Sequence, residues 1–422
     1  METDYIRIMK TELKRALGCT EPAAVALACA YAGNLLEHRV ERIELFVSAN
    51  ILKNGLQVGI PGTDKKGIQA AAALGALAGE PQKGLEVLNG IDAQEKERAL
   101  RLAEEGMVPV QVKDGVEKLY IEAACYGPMG EARAIIRGIH TNLAFLSLNG
   151  VERGGCQDHI RENGGRPAEG YGMDTASIFR FVSRVEISRL SFLKEIIGVQ
   201  KEIAGEGLAA DYGMGVGRRL MEDVGADGDL ADYVTAVTAA AADARMAGCP
   251  LPVFSNTGSG NQGLAASLPV IAAAERMGKG EEELLRALAL SELITIHVKE
   301  SIGRLSPLCG CAIAASVGSS AGITMLMGGG YGQIVSAIQN MIADVSGLIC
   351  DGAKAGCALK IATAVMAAVQ CSRLAVKNIR VPDKDGIVNV DVERSIANLG
   401  ILGKEGMRST DGVILGMMLQ NA

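Results

Sequence analysis

Between Val40 and Ser48 the apolar positions alternate with polar ones, with Ile43, Leu45 and Val47 on one side, which predicts a strand. Lys53-Asn54-Gly55 is a hairpin-turn signal, and Leu56, Val58 and Ile60 form the expected return strand. Gly67 to Gly79 reads as a helix of small residues. Two further strands are expected over Lys118–Cys125 and Glu131–Arg137, joined through Gly127-Pro128-Met129-Gly130. Upstream, Tyr5, Met9, Leu13 and Leu17 recur at helical spacing. Gly18 would stop that helix, and Thr20-Glu21-Pro22 would open another, with Thr20 as N-cap.

Beyond Asp174 the pattern becomes helical. Ile187–Ala204, Leu230–Met246, Gly263–Met277, Glu281–Lys299, Ala312–Leu326, Gln333–Ile349 and Ala358–Val369 lack strand alternation, and several are apolar nearly all round, as central helices are. Residues 379–391 suggest a short hairpin around Asp385-Gly386, and a last helix follows Ser409-Thr410-Asp411. The expected fold is therefore α+β. Residues 1–172 would form an α+β domain with an antiparallel sheet, and 173–422 a mainly helical domain. The Gly-, Pro- and charge-rich stretch from Gly150 to Gly172 is the expected connection, with Cys156 and His159 as loop residues.

Composition sharpens this picture. Hydrophobic residues make up 48% and charged residues 22%, so the chain should be globular. Aromatics are only 3%, with no Trp, so Ala, Gly, Val, Leu and Ile must fill closely packed helical cores. A net charge of −7 without a basic run argues against nucleic acid as a partner. The ten cysteines do not resemble a secreted disulfide framework, and Met1-Glu2-Thr3-Asp4 does not begin a signal peptide. Reduced thiols in a cytoplasmic protein, some of them metal ligands, are expected. The run from Leu305 to Ala343 carries no charge and is long enough to cross a bilayer, but its Gly, Ser and Cys content, with Gln333 and Asn340, favours a buried helix pair and no membrane partner.

Three groups of residues are candidates for chemistry. Cys309 and Cys311 lie about forty positions before Cys350 and Cys357; soft thiolates in such a group hold zinc or iron–sulfur clusters, the alternative being buried structural cysteines. Cys350 and Cys357 are two helical turns apart, yet Gly352 and Gly356 argue for a loop that wraps a ligand. The loop Asn256–Gly263 offers backbone access and the neutral donors Ser259, Asn261 and Gln262 ahead of a helix, a setting suited to a carboxylate. Cys19 stands just before a helix start, where a thiol is expected to ionise more readily; the alternative is a small buried residue in a turn. His140 ends a strand and is a site candidate, whereas His297 lies on an apolar helix and reads as a satisfied core residue. Esterase, zinc-protease and dinucleotide-binding motifs are missing from the sequence.

Gly18-Cys19-Thr20-Glu21-Pro22-Ala23-Ala24, Ser259-Gly260-Asn261-Gln262-Gly263, Cys309-Gly310-Cys311 and Cys350-Asp351-Gly352 occur in this order. With them the chain resembles, over essentially its whole length, the L-cysteine desulfidase family, which is related to the oxygen-sensitive iron–sulfur L-serine dehydratases. The resemblance implies a 4Fe–4S cluster held by three cysteines with one iron open, and conversion of L-cysteine to pyruvate, ammonia and sulfide. It implies Cys350, Cys357 and one of Cys309 or Cys311 as ligands. Cys311 is chosen because Gly310-Cys311-Ala312 matches the dehydratase pattern of a Gly-Cys pair heading a small-residue helix. The dehydratases space their last two ligands more widely and carry a C-terminal cysteine that this chain lacks, since it ends Met417-Met418-Leu419-Gln420-Asn421-Ala422. In this reading Cys19 is the base, and Ser259, Asn261, Gln262 and His140 bind the amino-acid substrate. Elimination of water from L-serine and a non-catalytic cluster sensor are the competing functions, and a homodimer is the assembly allowed for.

Overall fold

Asp4 caps the first helix by accepting from the Arg7 amide, and that helix, α1 (Tyr5–Glu12), is short. The chain then extends into β1 (Leu13–Leu17), so the helix expected to reach Leu17 ends at Glu12. Leu13 and Leu17 satisfy a period of four and a period of two equally well. Pairing decides between them: β1 lies antiparallel to β8 (Pro252–Asn256), with Leu13 opposite Asn256 and Leu17 opposite Pro252. The computed structural model describes residues 4–154, 170–225 and 228–420; Cys156 and His159 lie outside the described residues.

The first half is built on a six-stranded sheet of order β3-β2-β4-β5-β6-β7. Its strands are β2 (Arg42–Val47), β3 (Val110–Val112), β4 (Tyr120–Gly127), β5 (Gly130–Arg137), β6 (Leu143–Leu148) and β7 (Val151–Gly154). Every pair is antiparallel except β2 with β3 at one edge. The helices of this half are α2 (Thr20–Leu35), α3 (Ala49–Gly55), α4 (Ile68–Ala78) and α5 (Ala93–Glu104). Gly67 and Gly79 bound α4, as their positions in the sequence suggest. The expected hairpin around Lys53-Asn54-Gly55 is instead α3, started by Ser48, whose hydroxyl accepts from the Ile51 amide. A local N-cap outweighs the turn signal there, and residues 56–60 form no strand. The apolar faces of α2, α4 and the sheet close one core around Leu27, Leu74, Ile43, Ile121 and Ile136.

The second half is helical: α6 (Thr175–Arg184), α7 (Leu193–Ala209), α8 (Val216–Asp223), α9 (Leu230–Met246), α10 (Gly260–Arg276), α11 (Glu281–Ile302), α12 (Ala314–Leu326), α13 (Tyr331–Val345), α14 (Cys357–Ala375), α15 (Val392–Ile401) and α16 (Thr410–Gln420). The fold is thus α+β. The hairpin expected over 379–391 is a chain of turns without strand pairing. His297 is buried on α11 and bonded through Nε2 to Glu393 at 2.6 Å.

The two cores do not part at a single point of the chain. Tyr5, Ile8, Met9 and Leu13 join the helical core, whereas Leu415 of α16 joins the sheet core. The uncharged run becomes α12 and α13, each shorter than a membrane crossing requires. Among the described residues one helix, α14, is long and apolar enough to span a bilayer, and half of it is buried within the protein.

Candidate active site

The cysteine pairs meet because two loops run alongside each other. The Cys309 amide donates to the Leu348 carbonyl, and the Cys350 amide donates to the Pro307 carbonyl at 2.7 Å. A single antiparallel bridge between Leu308 and Ile349 is enough to erase about forty residues of separation. Cys311 lies in the turn that leads into α12, and Cys357 is the first residue of α14. Between Cys350 and Cys357 the chain is a loop, as Gly352 and Gly356 suggest. Gly352 has φ +91°, and a Cβ on it would lie 2.4 Å from the Lys53 carbonyl oxygen, so only glycine allows this loop to press on α3.

All four thiols line one pocket together with Cys19, Glu21, Asn54, Arg245, Ser259, Asn261, Asp351 and Lys360. The cavity between its walls is small, about 70 Å³. Of the residues expected at the site, Cys19, Ser259, Asn261, Cys311, Cys350 and Cys357 therefore converge, and Cys309 joins them. Gln262 and His140 do not line this pocket. Gln262 donates through Nε2 to Thr257 and to the Asn256 carbonyl, pinning the loop in which Thr257 adopts a left-handed φ of +47°. His140 lies behind Glu21, with Nε2 4.0 Å from Oε1.

The thiols are packed in two ways. Cys309 and Cys311 are 3.3 Å apart at sulfur, and the shared hydrogen bond holds Cys309 down to about 7 while raising Cys311. Cys350 is raised chiefly by burial, and burial takes Cys357 up to about 12. Two cations face this group. Lys360 binds Asp351, which also binds Lys354. Lys299, on α11, is 5% exposed and has no ion-pair partner among the described residues. A Cβ on Gly310 would lie 2.8 Å from its ammonium, which places that charge against the Cys309–Cys311 turn. Burial pulls Lys299 down to about 8 although Cys350, Cys309 and Cys311 favour its charge.

The opposite requirement, a place for a carboxylate, joins the expected Ser259 and Asn261 to Arg245, which the sequence alone did not single out. Arg245 is 3% exposed, yet no carboxylate lies within 4.0 Å of it among the described residues. It donates to the Asn261 Oδ1 at 2.9 Å and the Gly18 carbonyl at 2.8 Å, and its Nε is buried without a partner. Ser259 caps α10 by accepting from the Gln262 amide. The pocket thus holds an uncompensated guanidinium beside a helix N-terminus, both of which attract anions. Arg245 and Lys299 look from sequence like ordinary basic residues in a last helical turn; the available signal was a charge within an otherwise apolar stretch.

Cys19 is the N-cap of α2, but it is not ionised by that position. Burial and then the neighbouring Glu21 push its thiol well up, and its Sγ donates to Glu21 Oε2 at 3.1 Å. Thr20, expected as the cap, is the first helical residue, and its hydroxyl donates to the same oxygen. Burial would raise Glu21, but His140 and hydrogen bonds from Cys19 and Asn54 outweigh it and hold the carboxyl below the usual range. The helix start therefore presents a hydrogen-bonded thiol–carboxylate pair rather than a free thiolate.

Comparison with known proteins places this architecture. The model of the serine dehydratase alpha chain matches residues 82–416. The chain belongs to the serine dehydratase alpha-chain family. A UPF0597 protein of Oleidesulfovibrio alaskensis is 44% identical over 98% of this chain and 97% of its own length. UPF0597 proteins of Clostridium tetani and Bacteroides fragilis are each 42% identical, again over 98% of this chain and 97% of their own. Membership in the family makes the protein a serine dehydratase-like lyase.

Proposed function

We propose that the protein eliminates sulfide from L-cysteine to give pyruvate and ammonia, using a 4Fe–4S cluster held by Cys311, Cys350 and Cys357. One observation carries this reading: the thiols, an unpaired buried arginine and a thiol–carboxylate pair open onto one pocket. The donor set fits a cluster. Sulfurs 3.3 Å apart cannot each take a separate iron, so Cys309 and Cys311 together offer one ligand position, and three remain in all. Lys299 would balance the negative charge that such thiolates gather.

The chain's own groups divide the work. Arg245, Asn261, Ser259 and the start of α10 hold the substrate carboxylate. The Cys19–Glu21 pair accepts the α-proton as the Cα–H electrons form the double bond and the sulfur leaves with the Cβ–S pair. A bound cluster supplies the Lewis acidity that eases departure of the sulfur. The released aminoacrylate tautomerises and takes up water, giving pyruvate and ammonia.

The family name favours a second substrate, L-serine, with water as leaving group through the same residues. Anaerobically reconstituted protein should release sulfide and pyruvate from L-cysteine with a higher kcat/KM than it shows for pyruvate from L-serine. Preference for serine would move the assignment to the second substrate. Bound iron with no turnover of either would replace both with a sensor.

A further inference from the structure

His140 is 3% exposed, and both its ring nitrogens are buried without a hydrogen-bond partner. Buried polar groups are ordinarily hydrogen-bonded, so an imidazole left this way calls for an explanation. Its neighbours supply one. On one side Nε2 faces Glu21 Oε1 at 4.0 Å, and Glu21 lines the thiol pocket. On the other side His140 lines a second pocket with Thr11, Glu12, Thr141, Ser255 and Arg304. Glu21 does not line this second pocket, and His140 does not line the first. The two residues thus stand in series between two spaces. Gly258 keeps the ring free, since a Cβ there would lie 2.8 Å from Nδ1.

We propose that the proton taken from the substrate leaves the active site through Glu21 and His140 into this second pocket, with His140 as the carrier. The inference rests on the elimination reading above. In the step, the O–H bond of protonated Glu21 breaks as an N–H bond forms at His140 Nε2. The Nδ1 proton passes to water in the second pocket, and no electrons change hands. The ring must approach Glu21 by about 1 Å to reach hydrogen-bond distance. The charged groups around His140 suit a carrier. Glu21 draws the proton in, whereas Arg304, held by Glu12 at 2.7 and 2.8 Å, disfavours a lasting imidazolium. Ionised Glu21 is then ready for the next turnover once proton exchange with water has returned the imidazole from its Nε2–H to its Nδ1–H form.

The test uses reconstituted holoenzyme and L-cysteine. His140→Ala should lose about 10²-fold in kcat, with KM and iron content close to wild type, and added imidazole should restore turnover with saturation. His140→Gln should remain slow. Wild-type kcat in His140→Ala, or restoration by the glutamine but not by imidazole, would overturn the relay in favour of a packing role. A second measurement needs no turnover: the nitrogen NMR titration of His140 should move when Glu21→Gln is introduced, and an unmoved titration would also overturn it. Failure of wild type on both cysteine and serine is distinguishable, because it removes the elimination reading before any variant is compared.

Discussion

Lys53 Nζ lies 2.6 Å from Asp411 Oδ1, and the lysine is 1% exposed. The same ammonium donates to the Cys350 carbonyl at 2.9 Å. One buried charge pair therefore ties α3, the first turn of α16 and the loop that carries a proposed ligand. Removing one partner strands the other in a site that cannot solvate it. Asp411→Ala should lower stability by about 3–5 kcal/mol, whereas a double change to Lys53→Met and Asp411→Leu should cost less than the single one. Denaturant midpoints of wild type, the single variant and the double variant check it; a single variant within about 1 kcal/mol of wild type would show that the clasp does not hold the loop.

Lys299 faces three thiols from a buried position without a carboxylate of its own. Lys299→Met should leave the apoprotein folded but weaken its hold on iron and sulfide, with Lys299→Arg intermediate. The check is iron and acid-labile sulfide per chain after desalting, with circular dichroism of the apoprotein. Full retention in Lys299→Met would remove its charge-balancing role.

Cys309 and Cys311, with sulfurs 3.3 Å apart, are the two candidates for one ligand position of the proposed cluster. Cys311→Ser should lose the cluster absorption after reconstitution, and Cys309→Ser should keep it. The reverse result would make Cys309 the ligand.

Arg245→Lys keeps the charge but removes the planar fork that suits a carboxylate. It should raise KM for L-cysteine by about tenfold or more, equivalent to at least ~1.4 kcal/mol, with a smaller effect on kcat. Steady-state sulfide release measures this, and an unchanged KM would place the substrate carboxylate elsewhere.

Glu292 is 1% exposed, and burial raises its carboxyl to about 8, only partly offset by the hydrogen bond from Asn256. A folded-state value above the unfolded one means that its contribution is full below about pH 4.5 and fades as pH rises toward 8. Glu292→Gln should flatten that part of the stability profile and leave the variant more stable than wild type above pH 8. Melting temperatures across this window check it; parallel profiles would show that Glu292 is already ionised.

Local patterns made much of the fold legible. The glycines around α4 marked its ends, and Gly127-Pro128-Met129-Gly130 marked the turn between β4 and β5. The misses have physical causes. The β1 strand is defined by a partner some 240 residues away, which no local period can reveal. At the site, the cysteines and the Ser259–Asn261 loop were visible as chemistry-bearing types. Arg245 and Lys299 were not, because their significance lies in burial without the usual partner, nor was Glu21, whose role depends on its hydrogen bond from Cys19 and its approach to His140. Cys19 was placed correctly at a helix start, but its ionisation depends on Glu21 and on burial, which outweigh the helix end.

The pairing of β1 with β8 also orders events in time. Ribosomes add about 5–20 residues per second, so β1 waits tens of seconds before β8 is made. The sheet half has all six strands by Gly154 and can close while β1 is still unpaired. Docking of β1 then brings Cys19 to Arg245, and Lys53 waits longer still for Asp411. The pocket is therefore completed only after Lys360 has been made, and any metal centre it receives must be loaded after that point.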